Sequence, residues 1–381
     1  MSAIDLAALA SADQQEVQRQ MGVCNACRYC EGLCAVFPAM ELRRTFTAGD
    51  VDYLSNLCHN CGACYYDCQY APPHPFAINV PVAMANLREE TYARYVWPSA
   101  LAPVFERNGL WVAIASAVGV AAFIGGAMLL NDPGVFFGVH VGEGAFYRIM
   151  PHNVMVALFG TVFVYAMAAI AVGVVRFWNA AGPVTGLSMR SLWQAMHDAG
   201  SLRYLDGGGM GCMNESERPE DRRKLYHHLT FYGFALCFAS TASGTVFHYF
   251  GWEAPYPLWH PTVLLGLVGG LGLVVGPIGL LAAKSRRDGR IEARSSGMGT
   301  AFIWMLLLTS VTGLALLALR ATPLMGLLLA VHLGVVFALF LSFPYGKFVH
   351  GFYRFAALVR HAHEQRAAGH VPAAKDLPKA A

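Results

Sequence analysis

The chain has 381 residues, of which 56% are hydrophobic and only 13% are charged. Soluble domains average about 25% charged residues, so this composition excludes a disordered protein and argues against an ordinary soluble enzyme. The formal net charge of +3 is too small to indicate nucleic-acid binding. Eight of the ten cysteines lie within the first 68 residues, so a cysteine-rich beginning precedes an apolar remainder.

The cysteine-rich beginning contains two runs with the spacing C-x2-C-x2-C-x3-C, and a proline follows each run four residues later. This spacing is typical of [4Fe–4S] ligation, and in ferredoxins with two clusters the fourth cysteine of each run binds the other cluster. We therefore predict a crossed assignment. The two ligand sets are Cys24, Cys27, Cys30 and Cys68 for one cluster, and Cys34, Cys58, Cys61 and Cys64 for the other.

Zinc is the alternative for these cysteines, but zinc sites usually combine pairs of C-x2-C and do not need a third cysteine at the same spacing. The sequence between the runs has a helical composition, with Thr47 or Asp50 as a possible N-cap. We therefore predict an all-α fold that begins with a two-cluster ferredoxin-like domain over residues 1–107. Of the other cysteines, Cys237 is expected to pack within a span, whereas Cys212 is either packed or redox-active.

Six apolar stretches are long enough to cross about 30 Å of hydrocarbon, which takes roughly 20 residues in a helix. We predict that they form a cytochrome b-like bundle over residues 108–345, with a long loop at 177–226 and a tail at 346–381. The glycines in that loop do not follow a strand pattern, which disfavours a dinucleotide site. The tail beyond Arg366 is small and polar, and we predict that it is disordered. The predicted spans are 108–130, 151–176, 227–250, 261–283, 300–320 and 323–343.

The positive charges predict the orientation of the bundle. Of the 27 Lys and Arg residues, all but Arg148 and Arg320 lie on one side of the predicted spans. By the positive-inside rule, both termini and the cysteine-rich domain then face the cytoplasm, as expected for a protein of the bacterial inner membrane. The first twenty residues lack the basic start of a signal peptide. In a reducing cytoplasm, the cysteines are expected to bind metal and not to form disulfides.

Histidines within or beside the spans are the second candidate site, because ionisable groups in a membrane are functional by default. Neutral imidazoles can bind the iron of a b-type haem without placing a bare charge in lipid. The alternative is that some of them cap helix ends at the membrane interface, as His140 and His260 could. The candidate haem ligands are His152, His227, His228, His248, His332 and His350.

The spacing of these histidines suggests how they pair. His332 and His350 are 18 residues apart, so one continuous helix would place them on the same face about 27 Å apart. The third span runs antiparallel, which places His227 or His228 level with His350. His248 is expected near His332, and His152 is a competitor to His248 for that position. One or two haems, each bound by two histidines, would fit this arrangement.

Two resemblances follow from these motifs. The segment from His332 through LSFPYGKFVHGF resembles the last helix of the dihaem cytochrome b gamma subunit of respiratory nitrate reductase, although Phe238 stands where that family has a further histidine. The whole chain resembles the tricarballylate (or citrate) utilisation protein B family. The residues that carry this second resemblance are CNACRYCEGLCAVFPAM, LCHNCGACYYDCQYAPPHPFAINVP, YHHLTFYGF and WEAPYPLWH.

The second resemblance implies a membrane electron-transfer protein. Its partner would be an FAD-dependent tricarballylate dehydrogenase, which oxidises tricarballylate to cis-aconitate. This chain would reoxidise the FADH2 of the partner and pass the electrons through two clusters and haem to a membrane quinone. Arg148, Arg176 and Trp252 are candidate quinone contacts or interfacial anchors. The alternatives are a quinol-oxidising subunit of a reductase with reversed electron flow, and a transporter or anchor with regulatory clusters.

Overall fold

Helices form the regular structure of the described part of this protein. The computed structural model describes residues 10–294 and 297–369, and in these ranges there is no β-strand, only an isolated bridge between Cys212 and Glu220. This confirms the predicted all-α fold class. The helices group into an N-terminal domain that contains both cysteine runs, and a bundle of long apolar helices.

The described part of the N-terminal domain contains five α-helices. Thr47 caps one of them through a capping box, in which its hydroxyl accepts from the Asp50 N–H and the Asp50 carboxylate accepts from the Thr47 N–H. The prediction that Thr47 is an N-cap is confirmed. Two of the helices, α1 and α3, pack against α5. Cys24 and Cys27 lie at the end of α1 and Cys64 lies in α4, whereas the other five cysteines of the two runs lie in the turns between helices. The helices are α1 (Ala12–Cys27), α2 (Val36–Glu41), α3 (Ala48–Leu57), α4 (Ala63–Tyr66) and α5 (Val80–Tyr95).

In the described part of the chain, six helices are long and apolar enough to cross a bilayer, which confirms the six predicted spans and makes this a multi-pass membrane protein. Short helices α7 (Pro133–Phe136) and α9 (Met189–Gly200) lie in the connections. Many large apolar side chains on the spans face outward, among them Leu129, which is 88% exposed. The spanning helices are α6 (Asn108–Leu130), α8 (His152–Ala180), α10 (Arg222–Tyr249), α11 (Pro261–Ser285), α12 (Met298–Leu319) and α13 (Met325–Ser342).

Small residues allow the spanning helices to pack closely. Helix α10 lies against α11, and a Cβ added at Gly269 of α11 would lie 2.8 Å from the backbone nitrogen of Cys237. Backbones that approach this closely are typical of membrane helices, in which small residues form the contact. Cys237 therefore has the packing role that the sequence predicts.

The last spanning helix does not continue to His350. Helix α13 ends at Ser342, a short 3-10 turn covers Phe343–Tyr345, and α14 begins at Val349. Pro344 has no N–H to donate to a helix, and Gly346 is extended with φ −150° and ψ −166°. The prediction of one continuous helix from His332 to His350 is therefore wrong, and the expected common face does not follow from helical periodicity.

Helix α14 (Val349–Ala367) belongs to the packed structure, although the sequence places it in a tail. It contacts α9 and α8 on the bundle side, and α2 and α3 of the N-terminal domain. Glu364 on this helix pairs with Arg43 of the N-terminal domain at 2.8 Å. The part of the predicted disordered end that begins at residue 370 lies outside the described residues.

The N-terminal domain and the bundle share one buried core. The closest approach is at Gly49 in α3, where an added Cβ would lie 1.9 Å from the carbonyl oxygen of Ala180 at the end of α8. No side chain fits between these two helices. The cysteine-rich domain is therefore seated directly on one end of the bundle, and this position brings its second cysteine run close to the histidines.

Candidate electron-transfer site

One set of cysteines lies at the outer edge of the N-terminal domain. We name it the peripheral set, and it comprises Cys24, Cys27, Cys30 and Cys68. The pKa of Cys24 is raised to about 12, mainly by burial and then by the neighbouring thiols of Cys30, Cys68 and Cys27. Burial likewise raises the pKa of Cys30 to about 12, with contributions from Cys68 and Cys27. The set borders solvent, because Tyr29 within the first run is 72% exposed.

The other set lines a cavity between the N-terminal domain and the loop of the bundle. We name it the interface set. Burial raises the pKa of its Cys34 and Cys64 well above the ordinary value, and the neighbouring thiols of the set add to both shifts. The backbone N–H of Asn60 donates to the sulfur of Cys58 at 3.3 Å. The cavity is lined by all four members of the set, Cys34, Cys58, Cys61 and Cys64, together with Phe37, His59, Val80 and Tyr204.

The cysteines are thus grouped as the crossed assignment predicts, with Cys68 among the first run and Cys34 among the second. Among the described residues, no three His, Cys, Asp or Glu side chains are placed to hold a single metal ion. A cubane cluster takes one thiolate on each of its four iron atoms, so its ligands stand around a larger body. A cavity lined by four cysteines fits such a cluster. Ligation of the clusters stays a prediction.

The loop at 177–226 covers the interface set, a contact that the sequence analysis missed. The N–H of Met213 donates to the Cys61 carbonyl oxygen at 2.9 Å. Cys212 is buried, its sulfur donates to the Leu205 carbonyl oxygen at 2.8 Å, and it packs against Cys61. These contacts favour the packed reading of Cys212. The glycines of the loop were the sequence signal for this close contact. A Cβ added at Gly208 would lie only 2.7 Å from the carbonyl oxygen of Gly32 in the first cysteine run.

Four arginines from four different segments bind the chain around Cys58. Their guanidinium groups donate to main-chain carbonyls of residues 56–60, which we name the clamped segment. They come from α5, from the start of α10, from the turn after α11 and from α14, so three of them belong to the bundle side of the molecule. The four are Arg88, Arg223, Arg287 and Arg354.

His59 connects the clamped segment to the bundle. Its Nδ1 lies 3.0 Å from the Leu57 carbonyl oxygen, and its side chain is buried. Burial lowers the pKa of His59 well below its ordinary value, and Arg354 and then His227 lower it further. Arg223, one turn before His227 in α10, donates to the His59 carbonyl oxygen at 3.3 Å. The residue that follows Cys58 is thus joined to the helix that carries a candidate haem ligand.

His227 and His350 form the inner histidine pair, whose ring centroids are 6.3 Å apart. Bonds between an imidazole nitrogen and zinc are about 2 Å long. With bonds of that length, two imidazoles that bind one metal ion from opposite sides have ring centroids about 6 Å apart. The Nδ1 of His350 lies 2.6 Å from the Lys347 carbonyl oxygen, a donation that leaves Nε2 free to ligate. This pair fits a haem. His228 lies instead beside Tyr232, with centroids 5.9 Å apart.

The histidines at the other end of the bundle do not fit a haem in this arrangement. His152 and His248 stack directly, with centroids 3.5 Å apart and planes at 20°, which leaves no room for iron between them. We name them the outer histidine pair. In the part of the chain that the structure describes, His332 has no ring contact with His248, and its Nδ1 lies 2.9 Å from the Thr312 hydroxyl. His248 therefore lies beside His152, the residue that the sequence offers as its competitor.

Other candidates have structural roles. His260 caps α11 by accepting from the Thr262 N–H, and it stacks on Tyr256 with centroids 4.4 Å apart. The Nε2 of His140 lies 2.7 Å from the Val135 carbonyl oxygen. Arg176 donates to the Val96 carbonyl oxygen at 2.7 Å, which links α8 to the end of the N-terminal domain.

Comparison with known proteins gives two family matches. A model described as "Citrate utilization protein B" matches residues 104–371, and one described as "Citrate utilization protein B Fer4-like domain" matches residues 17–94. The chain belongs to the citrate utilization protein B family. Within that family, the Citrate utilization protein B of Escherichia coli is 51% identical over 361 residues, which are 93% of each chain. No solved structure matches the chain.

Membership of the citrate utilization protein B family confirms the resemblance that the motifs carry. The segment matched by the Fer4-like domain contains all eight cysteines of the two sets. The other segment contains the six spanning helices, the loop and α14. The boundary between the two family segments therefore lies between α5 and α6, where the N-terminal domain joins the first spanning helix.

Proposed function

We propose that this chain is the membrane electron-transfer subunit of a tricarboxylate-oxidising system, seated in the bacterial cytoplasmic membrane with its N-terminal domain inside. It would accept electrons from the FADH2 of a soluble FAD-dependent dehydrogenase of tricarballylate or citrate utilisation and deliver them to a membrane quinone. Two [4Fe–4S] clusters and a b-type haem would supply the one-electron chemistry. The residues of the chain hold these groups, space them and exclude water from them.

The observation that carries the proposal is a set of hydrogen bonds that joins the clamped segment to the two helices of the inner histidine pair. Arg223, one turn before His227 in α10, donates to main-chain carbonyls of the clamped segment. Arg354, one turn after His350 in α14, donates to the Cys58 carbonyl oxygen at 2.7 Å. The cavity of the interface set and the two histidines that would hold a haem thus meet at the junction of the two domains. A simple anchor would need neither feature.

The peripheral set supports the proposed entry point. It borders solvent at Tyr29, which is 72% exposed, as a site that exchanges electrons with a soluble partner must. The eight cysteines would hold the clusters, and His227 and His350 would bind the haem. We assign the oxidation of the organic acid itself to the partner.

The first test is a reduced-minus-oxidised visible spectrum of the purified chain together with its iron and acid-labile sulfide content. We expect a b-type α-band, and we expect His350→Ala to remove it while His140→Ala, at a helix connection, keeps it. Iron–sulfur content should be unchanged in both variants. A wild-type protein without any b-type band would overturn the haem part of the proposal.

The second test concerns the order of the path. Cys58→Ser should abolish quinone reduction by the reconstituted pair of proteins, while the partner dehydrogenase still reduces an artificial acceptor. Cys237→Ser is the matched control, because that thiol packs against α11 within the bundle. Quinone-linked activity that survives Cys58→Ser would contradict the proposed function.

A further inference from the structure

The four arginines that bind the clamped segment donate hydrogen bonds to its main-chain carbonyls from four different parts of the chain. Arg354 of α14 donates to the carbonyl oxygens of Cys58 at 2.7 Å and of Asn56 at 3.3 Å. Arg223 of α10 donates to Asn60 at 2.7 Å and to His59 at 3.3 Å.

The other two complete the clamp. Arg287 donates to both oxygens of Asn60, at 3.3 Å to the main chain and 2.7 Å to the side chain. Arg88, which is 7% exposed, also donates to the Cys58 carbonyl oxygen. Four positive charges therefore converge on one turn that carries a cluster ligand.

These charges act on one another and on the interface set. The pKa of Arg354 is lowered to about 10, mainly by burial and then by the nearby guanidinium of Arg88, whereas the thiol of Cys58 opposes the shift. Burial lowers the pKa of Arg287 to about 10 in the same way, with contributions from Arg223 and Arg88 and opposition from Cys58. The segment around Cys58 is thus a region of positive potential that interacts with the thiol.

The peripheral set has different surroundings. Its neighbouring cation, Arg28, is exposed to solvent and donates to the Asn25 carbonyl oxygen at 3.1 Å. A carboxylate, Asp67, directly precedes Cys68 of this set. Charge at an exposed site is screened by water, whereas charge at a buried site is screened much less. The two cysteine sets therefore differ in the electric field around them, although their ligand spacing is the same.

We propose that Arg88, Arg223, Arg287 and Arg354 give the cluster of the interface set a higher reduction potential than that of the peripheral set. Reduction adds one negative charge to a cluster, and buried cations stabilise the reduced form. Burial alone acts the other way, because it penalises the more negative state. The arginines reverse that penalty. One electron then moves from the reduced peripheral cluster to the oxidised interface cluster, and no bond forms or breaks.

This inference rests on the proposed function, because it requires both clusters, and it gives the electron path a direction toward the bundle. The four arginines are positioning residues, since they bind the main chain of the segment and not the cluster. Under reversed flow, with electrons arriving from quinol, the peripheral cluster would need the higher potential. The order of the two potentials therefore also separates the two directions of flow.

The test is a redox titration of the detergent-purified full chain, followed by electron paramagnetic resonance. The two signals are assigned with Cys64→Ser for the interface set and Cys30→Ser for the peripheral set. We expect the interface cluster to titrate at the higher potential. Arg354→Gln, Arg287→Gln and Arg223→Gln should each lower its potential and leave the peripheral one in place, whereas Arg354→Lys should retain most of the wild-type value.

Arg28→Gln is the matched control, because Arg28 also donates to a carbonyl within a cysteine run but lies in solvent. It should shift neither potential appreciably. Three glutamine variants on three elements carry the test if one of them fails to assemble its clusters. An interface cluster that titrates below the peripheral one, or that keeps its potential in the glutamine variants, would overturn this inference alone. A wild-type chain without clusters would overturn the proposed function instead.

Discussion

The two cysteine sets have the same spacing in the sequence but opposite surroundings in the fold. The peripheral set borders solvent, beside the exposed side chains of Tyr29 and Arg28. The interface set lines a cavity that the loop at 177–226 covers and that four arginines border through the clamped segment. The motif thus determines the ligand chemistry, whereas the tertiary partners determine access of water and the electric field.

The field difference is large enough to matter. At an effective dielectric constant of about 20, a unit charge roughly 8 Å from another contributes about 2 kcal/mol, whereas in water the same pair contributes about 0.5 kcal/mol before screening. Several partly buried guanidinium groups can therefore outweigh the cost of burying a more negative cluster. One exposed arginine at the peripheral set cannot have a comparable effect.

The sharpest way to break the comparison is at the glycines of the two sets. Gly62 has φ +88°, and an added Cβ would lie 2.2 Å from the Met213 carbonyl oxygen, whereas nothing lies within 4 Å of a Cβ at Gly32. We expect Gly62→Ala to cost roughly 2–5 kcal/mol through backbone strain and overpacking, and to impair assembly of the interface cluster. Thermal unfolding and iron content measure this effect. Gly32→Ala is the control, and an equal loss there would contradict the assigned difference in packing.

Chelation should separate the two sets next. A chelator added to the oxidised protein should remove half of the cluster iron in a fast phase, because the peripheral set borders solvent while the loop at 177–226 covers the interface set. The absorbance of the iron–chelator complex follows the release. In Cys30→Ser the fast phase should disappear. A single phase for all the iron in the wild type would show that the loop gives no protection.

Much of this contrast is absent from the sequence for a physical reason. The cysteine spacing predicts two sets of four, and apolar length predicts six spans, because both are local properties of the chain. The arginines that meet around Cys58 come from positions 88, 223, 287 and 354. No local pattern relates them, since only the docking of the N-terminal domain on the bundle brings them together.

The histidines show the same limit. Helical periodicity placed His350 on an extension of the last span, but Pro344 and Gly346 end that helix and start a new direction. His350 nevertheless lies beside His227. This pairing requires only that both residues lie at the same depth, near the cytoplasmic ends of their helices. The pairing of His248 depended on which of several helices are neighbours, which periodicity does not specify, and its partner in the structure is His152.

An ion pair between the domains should give an intermediate effect. Glu364 pairs with Arg43 and with Arg360, and the Arg43 and Glu364 side chains are only 10% and 17% exposed. Glu364→Ala leaves both arginines without that carboxylate, although Arg43 keeps Asp50 at 2.6 Å. We expect a loss of about 2–3 kcal/mol, measured by thermal unfolding in detergent.

Glu16→Ala is the control for this pair. Glu16 and Arg19 form a pair with side chains 42% and 44% exposed, which we expect to contribute at most about 1 kcal/mol. Equal effects of the two substitutions would mean that the contact between α14 and the N-terminal domain does not stabilise the docking. That result would weaken the assignment of a rigid junction.

The smallest effect is expected at Tyr66, which lies in the second cysteine run between Cys64 and Cys68. Its hydroxyl donates to the Asp288 carboxylate at 2.5 Å, which ties α4 to the turn after α11. Tyr66→Phe removes this hydrogen bond, but Asp288 keeps Arg290 at 2.7 Å, so the carboxylate is not left without a partner. We therefore expect Tyr66→Phe to lower the free energy of unfolding by about 0.5–1.5 kcal/mol, measured by thermal unfolding.

Tyr29→Phe, at the exposed edge of the peripheral set, is the control and should stay within about 0.5 kcal/mol of the wild type. If Tyr66→Phe also made the iron of the interface set accessible to the chelator, the hydrogen bond between Tyr66 and Asp288 would contribute to excluding the chelator. The protection of the interface set would then not come from the loop at 177–226 alone.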